Sequence, residues 1–221
     1  MIAMKTNESA PLLRLFKLSI TAAQRENFVA AGRHNLGTSI KNEAGTLAMY
    51  ATHVDPVGLE NRVIEVYRDA ASYAIHAQSP QFKAFRAVAK EAVTQQAVLN
   101  LTPVMLWTGQ PLGADQLANP LVQLTEITVL PGKTADYRSL VLATMAAQPG
   151  LLALVVGYAV DAPEKWVILT VYRDQLADQR YHQTAAFRKY QLASQSLIQT
   201  TKTTVLGADT LVNQGGLAFR G

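Results

Sequence analysis

Within the stretch EVYRDAASYAIHAQSPQFKAF, Glu65 to Phe85, a carboxylate, a phenol and an imidazole fall inside twelve residues as Glu65, Tyr67 and His76. A partly buried carboxylate–imidazole pair is one way a protein holds a base near neutral pH. A tyrosine hydroxyl beside it can donate to a developing anion. Glu65 and Tyr67 are two residues apart on an expected strand, so they share one face, opposite Ile64 and Val66. If that face lies under helices, Glu65 needs a cation or a donor. Arg33, His34 and His76 are the candidates, and Phe82 is expected to wall the same cavity. A plainer reading stands beside this one: a structural Glu–His or Glu–Arg pair that fixes a helix on the sheet.

The other histidines carry weaker signals. His34 falls near the end of the expected first helix, where a cation also suits the helix dipole. His53 closes an expected strand, and His182 is expected in solvent. The four histidines show no HExxH or comparable metal spacing. No glycine-rich turn links a strand to a helix in the dinucleotide pattern, and no nucleophile elbow occurs. Neither a metal nor a bound nucleotide is expected.

The elements that must position these groups are written twice. TVYRDQLADQRYHQTAAFRKY, Thr170 to Tyr190, follows the first stretch at an offset of 105 residues. Without a gap, residues 45–85 align on 150–190, with Gly45, Ala48, Val66, Tyr67, Arg68, Asp69, Gln78 and Phe82 recurring. LFKLSI (15–20) matches LTEITV (124–129) at an offset of 109, so the second copy is four residues shorter before its glycine. Four residues are about one helical turn. The copies differ where chemistry was sought: Thr170 stands for Glu65, Tyr181 for His76 and Ala185 for Pro80.

Periodicity predicts strands at 12–20, 46–54, 61–69 and 102–108 and helices at 22–41 and 70–98, the second broken at Ser79–Pro80. The second copy predicts strands at 121–130, 151–160, 165–173 and 203–212 and helices at 133–147 and 175–199. The order is β-α-β-β-α-β twice, an α+β class of two ferredoxin-like repeats. Their boundaries are expected at 1–110 and 121–221, with the Pro- and Gly-bearing 111–120 as linker. A sheet with helices on one face leaves the other bare. Ile64 and Val66, with Leu169 and Val171, should therefore meet between the repeats, making one chain its own pseudo-dimer and leaving further self-association open.

Composition narrows the function. The chain is 49% apolar and 16% charged, with no cysteine, which excludes disulfides and thiolate chemistry. The net charge of +4 is spread along the chain without a basic, aromatic-laced cluster, so neither nucleic acid nor a membrane is an expected partner. A cytoplasmic protein acting on a small molecule is expected.

Glu65, Tyr67, Asp69, His76 and the Ser79-Pro80-x-Phe82 turn resemble the antibiotic biosynthesis monooxygenases, a family of small dimeric α+β barrels that includes quinol monooxygenases. The stretch HNLGTSIKNEAGTLAMY, His34 to Tyr50, is similar to the subgroup containing the enzyme that processes phosphorylated autoinducer-2. The resemblance implies oxidation of a quinol or phenol by O2 without flavin, haem or metal, the substrate being its own reductant. It implies catalytic roles for His76, Glu65, Tyr67 and His34, and substrate contacts from Phe82, Arg33, Tyr50 and His53. Two alternatives stand beside it: an isomerase or processing enzyme for a small phosphorylated carbonyl compound, and a non-catalytic barrel that binds a small ligand.

Overall fold

A computed structural model of the chain describes residues 10–114, 116–117 and 119–221. The first repeat runs β1 (Leu12–Ile20), a 3-10 turn (Ala22–Gln24), α1 (Arg25–Asn42), β2 (Thr46–His53), β3 (Glu60–Tyr67), α2 (Ala70–Gln78), α3 (Pro80–Ala92) and β4 (Val93–Thr108). The second runs β5 (Leu121–Val129), α4 (Thr134–Thr144), β6 (Leu151–Ala159), β7 (Ala162–Tyr172), α5 (Gln175–His182), α6 (Ala185–Ser194), β8 (Ile198–Asn213) and β9 (Ala218–Arg220). The helix starts follow local chemistry. Asp69 caps α2 by accepting from the Ser72 amide at 2.7 Å, and Ser79 caps α3 with Pro80 at its first position. Asp174 and Thr184 repeat both caps in the second copy.

The strand order is β1-β3-β2-β8-β5-β7-β6-β4, and β4 pairs back to β1, which closes an antiparallel barrel. Each repeat keeps the ferredoxin-like order, β4-β1-β3-β2 and β8-β5-β7-β6. The bare faces thus meet as the interior of one barrel, as expected of two repeats packed sheet to sheet as an intramolecular α+β barrel. Closure depends on β4 and β8, each 16 residues long. Residues 93–101 of β4 pair with β1, and 101–108 continue onto β6 of the other repeat. β8 does the same between β5 and β2.

This explains where the helix expectation ran too far. α3 stops at Ala92 and α6 at Ser194, several residues before the expected ends at 98 and 199. The stretch VTQQAVLN (93–100) suits a helix by composition, but the free edge of β1 takes it as a strand partner, so tertiary context overrides propensity.

The barrel core is made of repeat-equivalent pairs: Leu13 with Val122, Leu15 with Leu124, Ile64 with Leu169, Val66 with Val171 and Leu101 with Leu206. Gly45 and Gly150 recur because the chain there presses on the first turn of α2 or α5. A Cβ on Gly45 would meet Ser72 Oγ at 2.1 Å, and one on Gly150, at φ +87°, would meet Ala177 Cβ at 2.5 Å. Among the described residues no helix is long and apolar enough to cross a membrane.

Candidate functional site

On the outer face of the first repeat, α1, α2 and α3 roof a cavity of about 610 Å³ over β1, β2 and β3. Strand alternation decides what reaches it. On β1, Leu13 and Leu15 point into the barrel, so Arg14, Phe16 and Leu18 point at the helices. On β3, Ile64 and Val66 point inward, so Asn61, Val63 and Glu65 line the cavity. The roof adds Phe28, Phe82 and Phe85, and Phe28 and Phe85 are in ring contact at 5.4 Å. Most of the wall is apolar, and the charges are few and localised.

Glu65 is a buried acid in this wall, 8% exposed. Arg14 lies directly opposite it in the β1–β3 register. The Tyr67 hydroxyl donates to Glu65 Oε2 at 2.9 Å. Burial pushes the Glu65 carboxyl up to about 7, while the Tyr67 hydrogen bond and the Arg14 charge hold it from rising further. Burial and the adjacent carboxylate push the Tyr67 phenol up, so it stays a donor. Arg14 is itself held between two rings, 4.8 Å from the centre of Phe16 and 4.6 Å from that of Tyr73. Arg33 on α1 and Arg86 and Lys90 on α3 are exposed residues lining the same cavity. Asn35, 1% exposed, also lines it, and its Oδ1 has no hydrogen-bond partner among the described residues.

Of the residues singled out in the sequence, Glu65, Phe82 and Arg33 line the cavity. Tyr67 touches it through Glu65. The others lie elsewhere. His34 is exposed on α1 and outside the lining, because Phe28, Gly32 and Leu36 centre the cavity side and His34 is two helical steps, about 200°, from Gly32 and Leu36. Tyr50 points into the barrel, where Asn213 donates to its hydroxyl at 3.2 Å, because Met49 and Ala51 take the helix-facing side of β2. His53 meets Asp209 at 3.1 Å, beside an Arg25 that grips the same carboxylate with two nitrogens.

His76 is fully buried, packed on Phe82 at 4.6 Å and Tyr67 at 5.5 Å, and is not among the cavity-lining residues. Its partner is Glu43, not Glu65: Nδ1 lies 3.0 Å from Glu43 Oε2. Glu43 also accepts from Thr46 at 2.6 Å and Gln81 at 2.7 Å, and Gln81 donates to Ser39. Burial lowers the His76 pKa, with Glu43 opposing it. The network ties the end of α1 to α2 and α3, the plainer of the two roles considered for a Glu–His pair.

Arg14, Asp209 and Glu43 were not singled out in the sequence, nor were Asn35, Arg86 and Lys90 on the helices. Arg14 was hidden because only pairing with β3 sets it against Glu65. Asp209 reaches the cavity from β8 of the second repeat, which nothing local announces. Glu43 had a signal: Gln148 stands at its repeat position, just as Tyr181 stands for His76. Among the described residues no three His, Asp or Glu converge as a metal-holding group.

Fold and cavity together define a single-chain α+β barrel built from two ferredoxin-like units, each with a helix-roofed outer face. The family model for antibiotic biosynthesis monooxygenases matches residues 11–88 and again 120–192, and the chain belongs to that family. Among solved structures it is similar to a provisionally named monooxygenase from Lactobacillus acidophilus NCFM (TM-score 0.88, 24% identity, covering 96% of this chain and 100% of that one). A provisionally named monooxygenase from Fusobacterium nucleatum gives TM-score 0.86 at 18% identity, over 96% and 99% of the two chains. An anthrone oxidase-like protein gives 0.55 at 13%, over 96% of both. These likenesses bear on fold. No curated protein matches the chain.

Proposed function

We propose that the protein is a cofactor-independent monooxygenase that oxidises a phenolic or quinol-type small molecule with O2 in the first-repeat cavity. The observation that carries the reading is Glu65: a carboxylate with a pKa near 7 in an apolar cavity, held by a tyrosine donor and faced by an arginine. Glu65 takes the proton in place of the imidazoles considered from sequence, because His34 and His76 do not line the cavity.

A phenol ionises near pH 10, about 3 units above Glu65, so the transfer is uphill by about 4 kcal/mol. Arg14, beside the carboxylate, offsets part of this by stabilising the phenolate in a low-dielectric wall. The Asn35 Oδ1 accepts a hydrogen bond from a second hydroxyl of the substrate and turns the ring. The anion gives one electron to O2, the two radicals combine at a ring or benzylic carbon, and the peroxide loses water to leave a carbonyl. The balance is SH2 + O2 → SO + H2O, with the substrate supplying the electrons. The phenyl-lined walls keep bulk water from the radicals.

Oxygen uptake on addition of quinols or anthrone-type substrates tests the reading, with Glu65→Gln as the control that removes the base. Full turnover under strict anaerobiosis would sink it. A second reading draws on the Arg33, Arg86 and Lys90 rim, which suits a phosphorylated carbonyl compound moved through proton shuttling by Glu65. That reaction needs no O2, so the anaerobic arm separates the two.

A further inference from the structure

The second repeat has its own cavity, of about 440 Å³, between α5 and α6 and the outer face of β5 and β7. We propose that it is a binding site for an uncharged aromatic carbonyl compound, a quinone or an aryl ketone.

Charge is the first reason. Among the described residues no Asp, Glu, Lys or Arg lines this cavity. Where the first cavity has Arg14, Glu65 and Arg86, the repeat-equivalent positions hold Gln123, Thr170 and Gln191. His182 is half exposed and leans on Asp178 at 3.7 Å. An ionised ligand would find no counter-charge inside, whereas a neutral one loses little on entry.

The second reason is a hydrogen-bond donor left over by the divergence of the copies. In the first repeat Tyr67 gives its hydrogen to Glu65. Its counterpart Tyr172 is 2% exposed and lines the second cavity, and its hydroxyl, which has no hydrogen-bond partner among the described residues, is not fully buried but opens on the cavity. Burial raises its pKa, and that of the neighbouring Tyr181 to about 12, so both stay protonated donors. A donor that opens on a cavity and has no protein acceptor is free to pair with a ligand oxygen in place of water. A carbonyl, which only accepts, fits two phenolic donors better than a hydroxyl does.

Shape is the third. Tyr181 meets Phe187 edge to face at 5.2 Å and Tyr172 at 6.4 Å, so aromatic surface flanks the donors. Flat aromatic ligands bind well between such rings. The SO product of the reaction proposed above has this chemistry, and only that connection rests on the proposed function.

The test uses 9-fluorenone, a flat neutral ketone, and fluorene, which lacks the oxygen, titrated into the full chain. The variants are Tyr172→Phe, which removes an unpartnered hydroxyl and no packing, and Gln191→Trp, an exposed helix position that fills the mouth. Fluorenone should bind saturably, with its carbonyl infrared band shifted down. Tyr172→Phe should weaken fluorenone about tenfold, return the band toward its free position and leave fluorene unchanged. Gln191→Trp should abolish this binding, or remove one of two sites if the first cavity also takes the probe. Absence of saturable binding overturns the proposal. So does fluorenone affinity unchanged in Tyr172→Phe, or binding that Gln191→Trp leaves intact. The measurement needs neither O2 nor Glu65, so its failure leaves the oxygenase reading standing.

Discussion

Under Tyr67 the first repeat sets Glu65, faced by Arg14; under Tyr172 the second sets Thr170, faced by Gln123. The frame around the two tyrosines is the same. Both have an aspartate cap, a Ser or Thr cap, a close-packed glycine and a phenylalanine at the start of the last helix. Behind the first, Glu43 gathers His76, Thr46 and Gln81; behind the second, Gln148, Tyr181, Leu151 and Ala186 stand at those positions. The caps and the close-packed glycine that fold the unit repeat, whereas the charged and polar groups that line or support the first cavity diverge. Fusion made the divergence available, since a symmetric homodimer must carry each change twice. The Lys17–Glu126 ion pair shows the same freedom. These are repeat-equivalent positions meeting at 2.5 Å, where a homodimer would bring like charges together.

The largest test of this contrast is on activity. Glu65→Gln should lower the rate of O2 consumption by about 10²–10⁴-fold, the usual scale of a general base. Thr170→Val should leave it unchanged. Equal losses in both variants would make the cavities equivalent and break the comparison. In the wild type, kcat/KM should rise with pH along a limb centred near 7, where Glu65 ionises.

Stability should carry the same signature. The folded Glu65 binds its proton more tightly than the ordinary carboxylate value of 4.5, so between about 4.5 and 7 the folded state holds more protons. Stability from this group therefore falls as pH rises through that window, and the cost is complete above 7. Urea denaturation should show Glu65→Gln gaining on wild type by on the order of 3 kcal/mol between pH 4 and pH 8. His76 acts in the opposite sense: its lowered pKa favours the folded state as pH rises, so acidification should cost stability through that residue. Glu43→Ala should cost about 3 kcal/mol, because it strips the partner from a buried imidazole and from two further donors. The matching Gln148→Ala should cost under about 1 kcal/mol.

A graft sharpens the point. Thr170→Glu should destabilise by about 2 kcal/mol at pH 8, since the new carboxylate has Tyr172 but no arginine opposite. Gln123→Arg in the same chain should recover about half of that, read as a coupling energy in a double-mutant cycle. The smallest effect is a single oxygen. Tyr67→Phe should cost about 1 kcal/mol by leaving Glu65 without its donor, whereas Tyr172→Phe should change stability by under about 0.5 kcal/mol.

Much of this was legible in the residues. The gapless echo at 105 residues gave the two units, alternation put Glu65 and Tyr67 on the helix side, and Ile64, Val66, Leu169 and Val171 went to the shared core. The site was legible only in part. Glu65 and Phe82 were found because strand and helix phase are local properties. The partner of His76 was not legible, because Glu43 lies 33 residues away and only packing sets it there.

By itself, then, the chain's wording determined the repeat, the phase of each element and which faces had to be buried, because these follow from spacing along one strand or helix. Tertiary structure alone decided that β4 and β8 would run on into the opposite repeat, that Arg14 would face Glu65, that Asp209 would reach across from the other half, and that Tyr172 would keep an unused hydrogen. Each depends on strand register or on contact between distant segments. A one-residue shift in register turns every side chain to the opposite face, and no local pattern fixes that choice.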